Sequence, residues 1–510
     1  MRYIGPFFRM SSLSIKDIEG QLFYLSRDSI KTLVLNSKCG ILSAFRNSKK
    51  SSSYKDNLSI LNNFSPLMCL YRKSSPNFIH SKNSKSFDEN SFKKDINPTT
   101  NALMTMCLLE LSDYYSNYKK DNRNVDSLEG AYTYLAKEQL DFYYENLRNS
   151  EGVFIEKKNI SDSNSKSFNL IDKNKKFNFS DQAYMMVSYY MYYHYYKSES
   201  TSEEYKNFSL QILQMFIDFK DSLYNLSFSE GSEILFAFNI FYELSKEEDC
   251  KTLIIDLSDF LVNKFDEKDY YTSSLDSCSL FALTLLDSYK HTDIISFKEK
   301  SIEIYNKLLS LYDSDKGIFL KLTDKKEIKY SALEICFYFI LLLNFTKNTN
   351  SELENRNMIS SLYRRYFITS GLVLSWPEAP TLDETERYRK LSLHSNDMLE
   401  ESFFRMPNLP TPDSAGMAPI FAKNIVYSRK KDIFTKSKDS FDSNKNLFIF
   451  YIFIHYLSED VIKEMHFLEN ASNESGTTLE QISESKDIPK DNSISILDES
   501  NIENNSSSIT

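Results

Sequence analysis

The chain has 510 residues, of which 41% are apolar and 14% aromatic. It exceeds the roughly 250–300 residues at which a single core stops growing, so two ordinary domains or one large repetitive one are expected. The formal charge is −10, but nine acidic and two basic residues lie between Glu469 and Thr510, a net of −7 that leaves −3 for the remainder. A nearly neutral body has no basic stripe to neutralise phosphates, which excludes nucleic acid as a partner.

The N-terminus, "MRYIGPFFRMSSLSIKD", lacks the unbroken apolar run of a secretory signal. The longest apolar runs, "ICFYFILLLNF" and "LFIFYIFIHYL", are about eleven residues long, short of the ~20 that span a bilayer, so no membrane association is expected. Six cysteines (Cys39, Cys69, Cys107, Cys250, Cys278, Cys336) are scattered without CxxC or close Cys/His spacing and read as reduced, buried thiols. A soluble, cytoplasmic protein follows.

Residues 1–97 read as short ordered pieces joined by loops rich in Ser, Asn and Lys. From Thr99 the character changes. "TTNALMTMCLLELSDYY" opens on capping residues behind Pro98 and is then apolar around its whole circumference, the mark of a helix enclosed by protein. The pattern returns as "SDQAYMMVSYYMYYHYY", "SEGSEILFAFNIFYEL", "SLDSCSLFALTLLDSY", "YSALEICFYFILLLNF" and, sixth, "SAGMAPIFAKNIVY". The starts fall near 100, 180, 229, 275, 330 and 414, and gaps near 50 signal repeated helical hairpins. Between them lie one-sided helices: in Glu203–Phe219 the residues Phe208, Ile212, Met215, Phe216 and Phe219 share a face, and "TLIIDLSDFLVNKF" and "FKEKSIEIYNKLLSLY" repeat the type. Fully buried helices alternating with half-buried ones are what two concentric rings produce. Three outer helices end in Gly and a short alternating run, "NSEGVFIEK", "SDKGIFLKL" and "TSGLVLSWP", which read as caps leading into small hairpins. Residues after 466 form an acidic tail expected to be disordered.

This alternation, with its D-x-[GK]-G-[IV]-F-like turns, resembles the six-hairpin (α/α)6 toroid superfamily of glycosidases, sugar epimerases and lyases. The expected fold is therefore all-α: a toroid over residues 98–466, an N-terminal region over 1–97 and a tail over 467–510. A tetratricopeptide superhelix would need a period of 34, which is absent. The resemblance is one of architecture, and no catalytic motif accompanies it. It implies a cleft at the N-terminal ends of the inner helices, where Asn101, Asp181, Gln182, Glu230, Glu233, Asp276, Tyr330, Glu334 and Asp413 fall. Asp181, Asp276 and Asp413 also serve as ordinary helix caps.

Glu334, one turn into an apolar helix, is expected to carry a raised pKa and to act as the acid, with Asp181 as its partner carboxylate. In an inverting glycosidase such a pair stands ~6.5–9.5 Å apart. Five of the eleven prolines, with a sixth at Pro419 just beyond, stiffen the stretch from 374 to 416. That stretch also holds the only tryptophan, and a loop of such length suits a cover over a site. Trp376, Tyr330, Asp276, Glu384, Arg387 and His394 are the candidate saccharide-binding residues. Epimerases of the superfamily use histidine pairs, and of the six histidines only His394 falls in a cleft element, whereas His194 and His455 read as packed core. No metal cluster or phosphate cradle is present in the sequence, so neither metal nor other cofactor is expected. The expected function is carboxylate acid/base chemistry on a saccharide. The alternative is a non-catalytic toroid that binds or scaffolds, with a protein partner of unassigned identity, and one tryptophan with ten glycines in 510 residues favours it.

Overall fold

The structure is a computed structural model, and it describes residues 14–43, 60–75, 78–81, 84–119, 128–161, 168–173, 176–197, 201–349, 351–377, 418–436 and 440–458. The tail after 466 lies outside them. Among the described residues, twelve long helices build the fold. We number them α1 (Ile15–Asn36), α2 (Pro98–Lys119), α3 (Leu128–Asn146), α4 (Phe179–Tyr195), α5 (Ser202–Asp218) and α6 (Phe228–Ser245). The rest are α7 (Glu248–Asp266), α8 (Leu275–Thr292), α9 (Ile295–Leu309), α10 (Ala332–Asn348), α11 (Glu352–Tyr363) and α12 (443–458).

The even-numbered helices form the inner ring and the odd-numbered ones the outer ring. Each inner helix from α2 to α10 packs against the outer helix that follows it, and α2, α4, α6, α8 and α10 pack in succession. The physical reason is legible in the side chains. α10 is buried on every side, from Ile335 through Leu343, whereas α9 buries only Phe297, Ser301, Ile304 and Leu308, a single stripe at spacings of four, three and four. The chain is thus an (α/α)6 toroid with small antiparallel strand pairs at its rim.

α12 closes the inner ring. Its Phe448 ring meets Phe337 of α10 at 5.0 Å, Tyr184 of α4 at 5.9 Å and Phe236 of α6 at 6.0 Å, so aromatic side chains fill the axis. Between α6 and α8, Asn239 Nδ2 donates to Ser288 Oγ at 3.0 Å. Gly231 lets the first turn of α6 lie against α7, because a Cβ there would stand 2.7 Å from Leu261 Cδ2. Gly317 supplies the left-handed residue, φ 64°, that turns Tyr312–Asp313 back onto Ile318–Phe319, the hairpin expected from "SDKGIFLKL".

Two expectations are corrected. The sixth buried helix does not start near 414: residues 414–417 lie outside the described residues, Asn424–Ser428 is a strand paired with Glu327–Ser331 and Ile433–Lys436, and the helix begins at 443. The alternation in "IFAKNIVY" suits a pleated strand, and the uninterrupted apolar run of 447–457 supplies the helix. Residues 1–97 are also more than an appendage. α1 buries Ile18, Leu22, Leu25, Ile30 and Leu33 against α11 and α2, and so takes the sixth outer place. All six cysteines are buried and unpaired. No helix among the described residues is long and apolar enough to cross a membrane.

A carboxyl cluster at the mouth of the inner ring

The first turns of the inner helices converge on one face of the toroid, with their unsatisfied N–H groups turned toward it. Asp181 of α4 reaches the first turn of α2: its Oδ1 accepts from Thr99 N at 3.0 Å and Thr99 Oγ1 at 2.7 Å, and its Oδ2 accepts from Asn178 Nδ2 at 3.0 Å. Burial raises its carboxyl, and these donors work against that. Asp181 therefore caps a neighbouring helix. Gln182 is likewise committed, exchanging hydrogen bonds with the Phe154 backbone at 3.1 and 2.8 Å.

Glu334 departs from the expectation placed on it. It is the third residue of a capping box: Oε2 accepts from Ser331 N at 2.7 Å, while Glu334 N donates to Ser331 Oγ at 3.2 Å. Its Oε1 pairs with Lys321 Nζ at 2.6 Å. Both oxygens are occupied, so the free acid expected from its apolar flanks is absent. The Tyr330 side chain is fully buried and its hydroxyl donates to Phe319 O at 2.7 Å, which removes it from any ligand surface. Trp376 is 9% exposed and belongs to the core, beside the stem where Leu374 N donates to Ile420 O at 2.9 Å. Asn446 of α12 pins that stem, its Oδ1 accepting from Phe421 N at 2.8 Å. Glu384, Arg387, His394 and Asp413 lie outside the described residues.

The group that stands out is Glu233 of α6. It lies one turn above Phe236 on the axial face, and Tyr184 beneath it donates its hydroxyl to Glu233 O at 3.2 Å. Its carboxyl is pushed up to about 8, first by burial and then by the charges of Glu230, Asp276 and Asp181. As a residue it is half-buried, as are Glu230 and Asp276. Asp276 of α8 is raised by burial and by Glu334, against donation from Ser277 N at 3.0 Å and the nearby charge of Lys445 on α12. The mouth thus holds half-buried acidic residues in two different electrostatic settings, over a floor of Tyr184, Phe236, Phe337 and Phe448. Sequence reading put Glu233 at this end of the ring but favoured Glu334. The signal for Glu233 was the pair Glu230 and Glu233, three residues apart at the start of an otherwise apolar helix.

The opposite face carries a second polar group. His455 Nδ1 and Tyr451 Oη both bond Glu110 Oε1, at 2.8 and 3.0 Å, and Tyr456 Oη donates to Asp287 Oδ2 at 2.6 Å. Burial alone would lower the His455 imidazole, but Glu110, with Glu243 and Asp287 farther off, pushes it up to about 9. His455 is therefore an ion-paired residue, more than inert packing. His194, whose Nδ1 stands 3.2 Å from Leu244 O, is lowered chiefly by burial.

No protein-family model matches this chain, and no curated protein does. Among solved structures it is similar to a D-mannose isomerase at 9% identity, over 70% of this chain and 89% of that one, with a TM-score of 0.45. A cellobiose 2-epimerase from Bacillus thermoamylovorans B4167 is similar at 12% identity over 69% and 89%, TM-score 0.43. An endoglucanase from the termite Nasutitermes takasagoensis is similar at 10% identity over 87% and 99%, TM-score 0.43. These are similarities of backbone course, and the functional reading below rests on side chains.

Proposed function

We propose that the protein acts on a neutral or weakly charged saccharide by acid/base chemistry at the mouth of the inner ring, as a glycosidase-like hydrolase. Glu233 is the acid and Asp276 the base. The observation that carries this reading is Glu233, half-buried in the first turn of α6 among Glu230, Asp276 and Asp181, whose carboxyl is pushed up to about 8 and so holds a proton at neutral pH. Glycosidic cleavage needs one carboxyl that gives a proton to the leaving oxygen and a second that stays ionised to activate water or attack the sugar carbon. Asp181 and Glu334, first read as the reacting pair, become neighbouring charges: burial, Glu230 and Asp276 raise Glu233 with Asp181 adding to them, and burial raises Asp276 with Glu334 adding to it. A cytoplasmic setting belongs to the same reading, since six unpaired thiols suit a reducing compartment.

The test is turnover of an oligosaccharide panel by the wild type, Glu233→Gln and Asp276→Asn. Each substitution should lower kcat by about 10²–10⁴-fold, with saccharide binding held within a few-fold. Full activity in both variants would remove these residues from the chemistry. A second reading, saccharide binding without catalysis, is favoured by the aromatic filling of the axis under the mouth. It is supported if the wild type binds members of the panel and turns none over.

A further inference from the structure

We infer that Arg72, carried to the edge of the mouth by the N-terminal region, binds a carboxylate of the saccharide, so that the ligand contains a sugar acid. The inference rests on the reading of the mouth as a saccharide site and narrows its ligand to one with an acidic unit. The backbone fixes where Arg72 stands. Its N–H donates to Asp95 O at 2.8 Å, and its carbonyl accepts from Ser443 N at 3.0 Å and Ser443 Oγ at 3.1 Å, where α12 begins. The adjoining Lys73–Ser74 strand pairs with Phe441–Asp442. Side-chain contacts then lead from Arg72 into the mouth. Its Nη1 lies 3.5 Å from Glu156 Oε1, and Asn97 Nδ2 stands 3.4 Å from both Glu156 Oε1 and Asp181 Oδ1. Asn97 Oδ1 accepts from Thr100 N at 2.9 Å, and Thr100 Oγ1 meets Asn444 Oδ1 at 3.4 Å. Arg72 thus borders the first turns of α2, α4 and α12.

The carboxylates in this corner already have cations of their own. Lys173 Nζ lies 3.0 Å from Glu156 Oε2 and 3.2 Å from Asp95 Oδ2, Lys93 Nζ lies 3.5 Å from Asp95 Oδ2, and Lys73 Nζ lies 3.8 Å from Asp442 Oδ2. Asp181 is held by the neutral donors Thr99 and Asn178. Arg72 meets Glu156 through one nitrogen and makes no side-chain hydrogen bond among the described residues, and its side chain is 37% exposed. An arginine carries five N–H donors in a planar fork that suits a carboxylate with two parallel bonds, and a single end-on contact leaves that fork unused. Sugar hydroxyls can accept from it too, but bonds to an ionised acceptor are roughly twice as strong. Lys73, the next residue on the strand, carries the same charge without the fork. It is the control for any wider field, including that of 378–417, which lies outside the described residues.

Titration calorimetry with matched disaccharides reads this without turnover: cellobiose against cellobiouronic acid, and maltose against maltobiouronic acid, each pair differing by one carboxylate. The wild type should bind at least one acid about tenfold or more tighter than its neutral partner. Arg72→Gln should remove that preference, Arg72→Lys should keep only part of it because an ammonium has no fork, and Lys73→Gln should retain it. Matching circular dichroism spectra and melting temperatures of the four proteins keep the comparison to the side chains. The inference is overturned if the wild type prefers neither acid, if the preference survives Arg72→Gln, or if Lys73→Gln loses it equally. Inorganic sulfate that binds in the same Arg72-dependent way at the same concentration also overturns it, since the site would then take any anion. The turnover panel is run on the same proteins. An Arg72-dependent preference with no member turned over leaves the Arg72 subsite standing and removes the catalytic reading. Turnover with equal kcat/KM for acid and neutral members, unchanged in Arg72→Gln, removes the subsite and leaves the catalysis.

Discussion

Glu233 can be probed through stability before any substrate is known. Its folded value of about 8 lies above the ordinary 4.5, so the folded chain holds this proton more tightly than the unfolded chain does. Its contribution to stability is full below about pH 4.5 and is lost as pH rises through 8. The melting temperature should therefore decline between pH 5 and 8.5, and Glu233→Gln, uncharged throughout, should flatten that decline. Thermal denaturation followed at 222 nm over a pH series measures this, and parallel curves for the two proteins would show that Glu233 ionises freely. Glu334 illustrates why residue roles resist sequence reading. Its apolar neighbours are in the sequence, but the partner that settles its role, Lys321, arrives from a rim hairpin thirteen residues earlier.

At the scale of elements, caps and clasps decide where helices start and how they are held. Breaking the capping box of α10 by Ser331→Ala should cost about 1 kcal/mol in chemical denaturation, since Glu334 N loses its Ser331 Oγ acceptor while the backbone N–H of residue 331 can still donate to Glu334 Oε2. α12 is clasped at its far end by His455. There the folded value of about 9 exceeds the ordinary 6.5, so the stability from the Glu110 pair is full below pH 6.5 and is lost as pH rises through 9. His455→Gln should destabilise by about 2 kcal/mol at pH 6 and should remove the decline between 6.5 and 9, which urea midpoints across that range would record. Helix starts expected near 180, 229, 275 and 330 fall at 179, 228, 275 and 332, because a small polar cluster ahead of an all-round apolar run is a local signal. The start of α12 escaped because the strand pair Asn424–Ser428 and Ile433–Lys436 intervenes: the alternation in "IFAKNIVY" is a weak local signal, and pairing with the distant Glu327–Ser331 fixes that segment as strand. The same holds for the mouth: its carboxyls were visible as inner-helix N-termini, while the setting of each depends on charges brought from other helices, Asp276 and Asp181 for Glu233 and Glu334 for Asp276.

For the whole molecule the consequence is that the ring is closed from both ends of the described chain. α12 completes the inner circle and α1 the outer one, packed against α11 and α2. Composition alone had set residues 1–97 apart, since their loops are polar, although α1 carries an apolar face. If α1 were an appended helix, a cavity in it would leave the main unfolding transition untouched. Because Leu25 is fully buried within the common core, as Leu283 of α8 is nearly so, Leu25→Ala and Leu283→Ala should each destabilise that one transition by about 2–5 kcal/mol. Calorimetry of the two variants distinguishes the cases. A separate early transition in Leu25→Ala, with the main peak unmoved, would detach α1 from the toroid. A common shift would make α1 part of the same cooperative unit as the inner helices, the outer ring being closed through its packing on α11 and α2.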